Sequence, residues 1–312
     1  MKTFINSTFK SVIAIVALTL FAFSATAQNG AELQEKSIPV GEFTALDVSG
    51  DFEVTLAKGD YNAKITVNKV YADYVEVYVK TGVLHVSFKD KDVPKDVKKE
   101  MRGKNAPAQV FRAVIYAPQL KEITLEDNVI LTGVDEFTAN DFSLKLEDKA
   151  QLKNLSVTGT SASVSMKDKS QATLILTVTK DIDLKADGSS VLHATVNGRK
   201  LNLNAGGTAK ATVDATMESI SLDADGRAEL SLSGKANSLN VKGQRNMKAD
   251  LSALPVSEVE ANITGGELTV QVDKVLNVDL SGGAELYYNG SPEMKVRRVM
   301  KSTLAPVSEK KK

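Results

Sequence analysis

Residues 221–234 read SLDADGRAELSLSG. Taken alone this is a hairpin signature, with Asp225 and Gly226 between two runs of alternating apolar residues. The same plan recurs along the chain. It appears in ITLEDNVIL from Ile123, LKLEDKAQL from Leu144, VSMKDKSQA from Val164, LKADGSSVL from Leu184 and LNAGGTAKA from Leu203. After LDADGRAEL from Leu222 come VKGQRNMKA from Val241, a shortened ANITGGEL from Ala261, and VDLSGGAEL from Val278. Each copy starts roughly 20 positions after the one before, and only the step that follows the shortened copy is clearly smaller. One period held over that distance marks a repeat architecture.

Within each full copy the first, third, seventh and ninth positions are apolar or small, as Leu222, Ala224, Ala228 and Leu230 are. The second and eighth are mostly polar, and the fourth to sixth carry Asp, Gly, Lys, Asn or Ser, which turn corners. Each copy is therefore strand, corner, strand, and a second short alternating run such as ATVNG at 194–198 follows. An antiparallel meander also has strands and turns, but it does not require residues some 20 positions apart to match. In a coil with one copy per turn, equivalent residues stack about 4.8 Å apart and every column must keep its character. The columns do so, which predicts an all-β fold: a single-stranded parallel β-helix, or solenoid, of about 19–20 residues per turn. A lone turn leaves its strand edges and half its apolar surface uncovered, so only stacking makes it stable. The third column changes from Leu125, Leu146 and Met166 to Ala186, Ala205 and Ala224, which predicts a slimmer interior in the middle turns.

Ahead of the coil, LDVSGDFEVTL at 46–56 resembles the last copy closely enough to be a turn itself. It is followed by segments richer in Val and Tyr, in which Thr81 and Gly82 between alternating runs predict an antiparallel hairpin. The charged, proline-containing stretch 89–108 reads as a surface loop with room for one helical turn.

The stretch 1–27 has the layout of a secretory signal: Lys2 and Lys10, an apolar run from Val12 to Phe23, then Ala25, Thr26 and Ala27. This predicts cleavage before Gln28, a flexible lead-in over 28–39, a β-helix domain over 40–300 and a basic tail over 301–312. The expected location is outside the inner membrane, periplasmic or at the cell surface, with no integral membrane span. The chain has no cysteine, so packing and backbone hydrogen bonds must hold it together. Removing the signal leaves 37 Lys and Arg against 39 Asp and Glu, a balance that gives no reason to expect a nucleic-acid partner.

Acidic residues collect at the corners. Glu126, Glu147, Asp187 and Asp225 share the fourth column, and Asp127, Asp148 and Asp168 share the fifth. A row of hard oxygen ligands suits Ca²⁺, which makes Asp127, Asp148 and Asp168 the metal candidates. Lys149 and Lys169 beside them favour the simpler reading of solvated corner charges. An acidic-polysaccharide lyase would need a base and a neutralising cation on one face, and Arg199, Arg227 and Arg245 are the only arginines within the coil. His85 and His193 both read as ordinary surface residues, and no catalytic residue or cofactor is assigned. A sugar-binding surface normally offers aromatic faces. Trp is absent, which leaves Tyr287 and Tyr288, with Asn289, and the earlier Tyr71, Tyr74 and Tyr78, the last three in a Val-rich stretch that reads as strand.

Three segments, FTALDVSGDFEVTLAKGDYNAKITV from Phe43, IYAPQLKEITLED from Ile115 and LNVDLSGGAELYYNGSPEMKVRRV from Leu276, resemble the bacterial family called putative auto-transporter adhesin, head GIN domain. The resemblance covers roughly residues 40–300 and implies an exported right-handed β-helix, the hand that parallel crossovers generally prefer. It carries no catalytic residues. An autotransporter would end in a membrane β-barrel with aromatic girdles, whereas these residues end in STLAPVSEKKK soon after the coil. The expected function is a non-enzymatic module binding a glycan or a surface protein of the envelope or host. The alternatives are a polysaccharide-active enzyme using Asp187 or Asp225, and a purely structural envelope protein.

Overall fold

The computed structural model describes residues 32–104 and 106–309. The secretory-signal layout, the start of the lead-in and residues 310–312 lie outside them. The described chain is a parallel β-solenoid of about ten turns, as the repeat predicts.

A typical turn has two strands. Strand Ser219–Ala224 leads through a four-residue corner into Glu229–Lys235, and Ser238–Gln244 opens the next turn. Leu222 pairs in parallel register with Leu203 on one side and Val241 on the other, and Leu230 lies between Ala211 and Ala249. The first-position column from Ile123 to Val278 is buried throughout, so the matching residues line one continuous core. The small third-position residues Ala186, Ala205 and Ala224 fall in the middle turns, and Gly243 follows them. At Gly243 the void is filled from another column: a Cβ there would overlap the terminal methyl of Met247, the longest side chain at the seventh position. Third and seventh positions thus set the local width together.

The segment 46–56 is indeed a turn. Leu46 and Val54 stack on Ile123 and Leu131, although the partners of each pair are far apart in the chain. The intervening chain builds one further turn beneath it. Strand Val83–Phe88 runs parallel to Ala45–Val48, and Phe111–Tyr116 parallel to Glu53–Ala57. The corner between them is replaced by the charged loop, which carries the α-helix Lys95–Glu100. The hairpin joining Val75–Lys80 to Val83–Phe88 turns at Thr81 and Gly82, with φ of 50° and 77°, the left-handed pair that matches strand twist. Strand Asn62–Asn68 is antiparallel to Phe111–Tyr116 and to Leu33–Pro39. Residues 33–39, expected to be a flexible lead-in, are therefore a paired edge strand. Rings close this end: Phe111 lies 5.6 Å from Phe52, 4.6 Å from Phe88 and 5.5 Å from Tyr71.

At the other end the coil runs past residue 300, into the stretch expected to be a basic tail. Glu293–Val299 pairs with Glu267–Ser281, and Thr303–Pro306 with Glu285–Asn289. Val296 and Val299 continue the interior columns above Val278 and Leu280, yet they are 53% and 41% exposed. Among the described residues no turn covers them.

Candidate functional site

The corners explain most of the acidic columns. Every fifth-position residue from Asp127 to Gly282 has positive φ, among them Asp148 and Asp168 at 58°, Gly207 at 64° and Arg245 at 62°. The left-handed region is open to Gly and tolerated by Asp, so backbone geometry suffices to select these residues. Successive corners also lie close: a Cβ on Gly207 would meet the Gly188 carbonyl oxygen at 2.6 Å. The amide of the following residue, Thr208, donates to that same carbonyl at 2.7 Å, and Lys149, Lys169 and Ser189 repeat the bond on the turns before.

The carboxylates have local partners. Asp127 accepts from the Gly50 amide at 3.0 Å, and Asp148 lies 3.4 Å from the Asp127 amide. Asp187 and Asp225 each accept from the amide of the next residue at 2.7 Å, and Asp225 also pairs with Arg245 at 2.6 Å. Glu147 sits between Lys167 at 3.2 Å and Lys145 at 3.3 Å, and hydrogen bonds from Lys167 and then Lys145 hold its pKa below the ordinary value. Burial pushes Glu126 the other way, against the pull of Lys145. Among the described residues no three His, Cys, Asp or Glu side chains converge as cation ligands, and Asp127, Asp148 and Asp168 lie on successive corners rather than around one point.

His85 contacts Asp47 through Nδ1 at 3.0 Å and stacks on Tyr78 with centroids 4.9 Å apart, while His193 is an exposed neighbour of Thr173 and Thr212. The tyrosines near the end of the coil form no open platform. Tyr287 is buried and donates to Glu285 at 3.0 Å, and Tyr288 packs partly against the core.

Concave surface lies elsewhere: a groove of about 480 Å³ runs over the second strands of the turns, past Lys210, Thr212, Glu229, Ser231 and Lys248, and others lie on the outer face of the strands that open each turn. Two adjoining grooves of about 380 and 320 Å³ run from Lys200 to Lys295 and share Glu260 and Asn277. Their floor follows one column, just before the first interior position: Ser221, Asn240, Glu260, Asn277 and Lys295 lie in successive register. Ser219 and Ser238 flank it. Some of the column is internally bonded, as Asn240 Nδ2 is to Glu260 at 3.3 Å. The side-chain Oδ1 of Asn240, by contrast, is shielded from solvent and has no donor among the described residues. The sequence reading missed this column because it treated all outward positions as alike. The signal was available: Asn and Ser recur at that one place from turn to turn.

The family model described as "Putative auto-transporter adhesin, head GIN domain" matches residues 42–194 and again 171–292, most of the chain. The chain belongs to this family. The head GIN matches overlap, as expected where one turn can align with its neighbour. The family bears an adhesin's name, and no helix of the described residues is long and apolar enough to cross a membrane. No curated protein matches the chain. Among solved structures it is similar to a "putative adhesin" from Parabacteroides distasonis, 18% identical with a TM-score of 0.49, covering 89% of this chain and 98% of that one. A "putative adhesin" from Parabacteroides merdae is 17% identical with a TM-score of 0.48, covering 88% and 96%. A "Putative lipid binding protein" from Parabacteroides distasonis is 18% identical with a TM-score of 0.43, covering 89% and 95%. Likenesses that distant carry no information on ligands.

Proposed function

We propose that this protein is an exported, non-enzymatic binding module that holds a glycan of the envelope or of a host along the groove between Lys200 and Lys295. The observation that carries the reading is the unbroken polar column Ser221, Asn240, Glu260, Asn277 and Lys295 along the two adjoining grooves. A glycan brings hydroxyls at regular intervals, and the column offers one polar side chain about every 4.8 Å along a rigid wall. A rigid site loses little entropy on binding. The lyase alternative is weaker, because Asp187 and Asp225 are engaged by backbone amides and Asp225 also by Arg245.

The test is a glycan array followed by calorimetry on the best binder. Asn240→Ala and Ser221→Val are expected to lower affinity about tenfold or more, equivalent to one or two hydrogen bonds, while Asp187→Ala leaves it unchanged. The absence of any binder, or wild-type affinity in Asn240→Ala, would count against the groove. Release of unsaturated uronate that disappears in Asp225→Ala would favour the enzyme instead.

A further inference from the structure

We propose that the open C-terminal end of the coil docks on an anionic phospholipid surface, so that the solenoid stands on a membrane. At the last described turn of the coil, Val296, Val299 and Met300, at 53%, 41% and 53% exposure, are three of the eight exposed large apolar side chains among the described residues and lie within five positions of one another. The patch adjoins the proposed glycan groove, whose end is lined by Lys295, Val296 and Arg297.

Cations surround this patch. Lys295, Arg297, Arg298 and Lys301 are interleaved with the three apolar residues. Arg298 is held by Asp279 at 2.7 Å, and Lys295 lies 3.7 Å from Glu293. No ion pair engages Arg297 or Lys301 among the described residues. Exposed apolar side chains within a basic rim are the combination that binds the headgroup region of an anionic bilayer.

Two other occupants fit less well. A second copy set tail to tail would bring the same cations together. Set head to tail, it would meet the loop 89–104, with seven Lys and Arg against four Asp and Glu, beside an end already closed by aromatic rings. An added strand from a partner protein needs a regular edge. Here Val278 and Asp279 face Val296 and Arg298, so Arg297 is bulged out, and Pro306 ends the second strand of the turn. Bulges, charges and proline are the devices that block edge pairing.

The experiment is co-sedimentation of the folded protein with phosphatidylcholine vesicles prepared with and without phosphatidylglycerol. Binding is expected only with phosphatidylglycerol, falling as salt rises and dropping about tenfold or more in Arg297→Glu/Lys301→Glu. Val299→Ser/Met300→Ser should weaken it at unchanged charge. Equal binding to both vesicles, no binding to either, or indifference to both double variants would overturn the proposal. So would a dimer in sedimentation equilibrium that Val299→Ser/Met300→Ser dissolves, because a second copy would then cover the patch. If either double variant unfolds, a fluorophore on Ser302→Cys in the otherwise cysteine-free chain supplies the second reading. It should enter an apolar environment on phosphatidylglycerol vesicles while one on Lys36→Cys does not, and an identical response at both sites would contradict the orientation.

Discussion

At the N-terminal end of the coil, Phe52, Phe88, Phe111 and Tyr71 close over the last interior columns, and the Asn62–Asn68 strand brings antiparallel pairing to the turn beneath. At the C-terminal end the same columns run out at Val296 and Val299, which no further turn covers among the described residues. A solenoid whose turns contact only their neighbours must have its terminal turns covered or made polar. One end of this molecule is closed by its own insertion between the first turn and the repeats, and the other offers an apolar surface within a basic rim. The ends differ in sequence character too, which is why the repeat alone describes neither.

The largest effect that sharpens this contrast is at the plugged end. Phe111→Ala removes a buried ring packed on three others and is expected to cost about 3–5 kcal/mol in denaturant unfolding. A cost no greater than that of a surface change would mean the plug is not part of the core. Between the ends, Gly207→Val places a β-branched residue at φ 64° and drives its Cβ toward the Gly188 carbonyl, for a loss of about 1–3 kcal/mol or more. Asp148→Gly, at the same corner position three turns nearer the plug, should change stability by no more than about 1 kcal/mol, because glycine takes that conformation freely. At the open end Val299→Ser should stay within about 0.5 kcal/mol, as an exposed position does.

The smallest effect is electrostatic and separates two neighbouring turns. The folded state lowers the pKa of Glu147, so its contribution is present above the ordinary glutamate value and fades as pH falls through the lowered one. Glu147→Gln should therefore destabilise slightly at neutral pH, with the difference vanishing in acid. Burial raises Glu126, so its ionised form disfavours folding above the ordinary value, and Glu126→Gln should stabilise slightly at neutral pH. Thermal melts across the acid range distinguish the two signs, and matching signs would contradict the placement of Lys145 and Lys167.

The coil was legible in the sequence because stacking constrains every column at once. Leu222 resembles Leu203 and Val241 because the three touch. The turn at 46–56 was legible for the same reason, even though a long insertion separates Leu46 from its neighbour Ile123. The turn beneath it was not, because its two strands, Val83–Phe88 and Phe111–Tyr116, are split by the charged loop and carry no corner signal. Residues 33–39 were missed because an edge strand with mostly exposed side chains has no buried face to impose alternation. The corner aspartates at 127, 148 and 168 suggested ligands by chemistry, whereas the positive φ they share supplies a conformational reason that a list of residue types does not reveal. The groove required knowing which outward positions share a wall, and only the register supplies that.

The central claim is that each repeat adds one turn in register. Lys145 shares one outward column with Asp223, Lys242 and Asn262, which lie four, five and six turns further along. Spin labels on cysteines placed at Lys145 and at each of the others in turn should give separations of about 19, 24 and 29 Å, one strand spacing per added turn. Distances that fail to rise by that constant step would contradict the stacked coil, and with it both the groove and the open end.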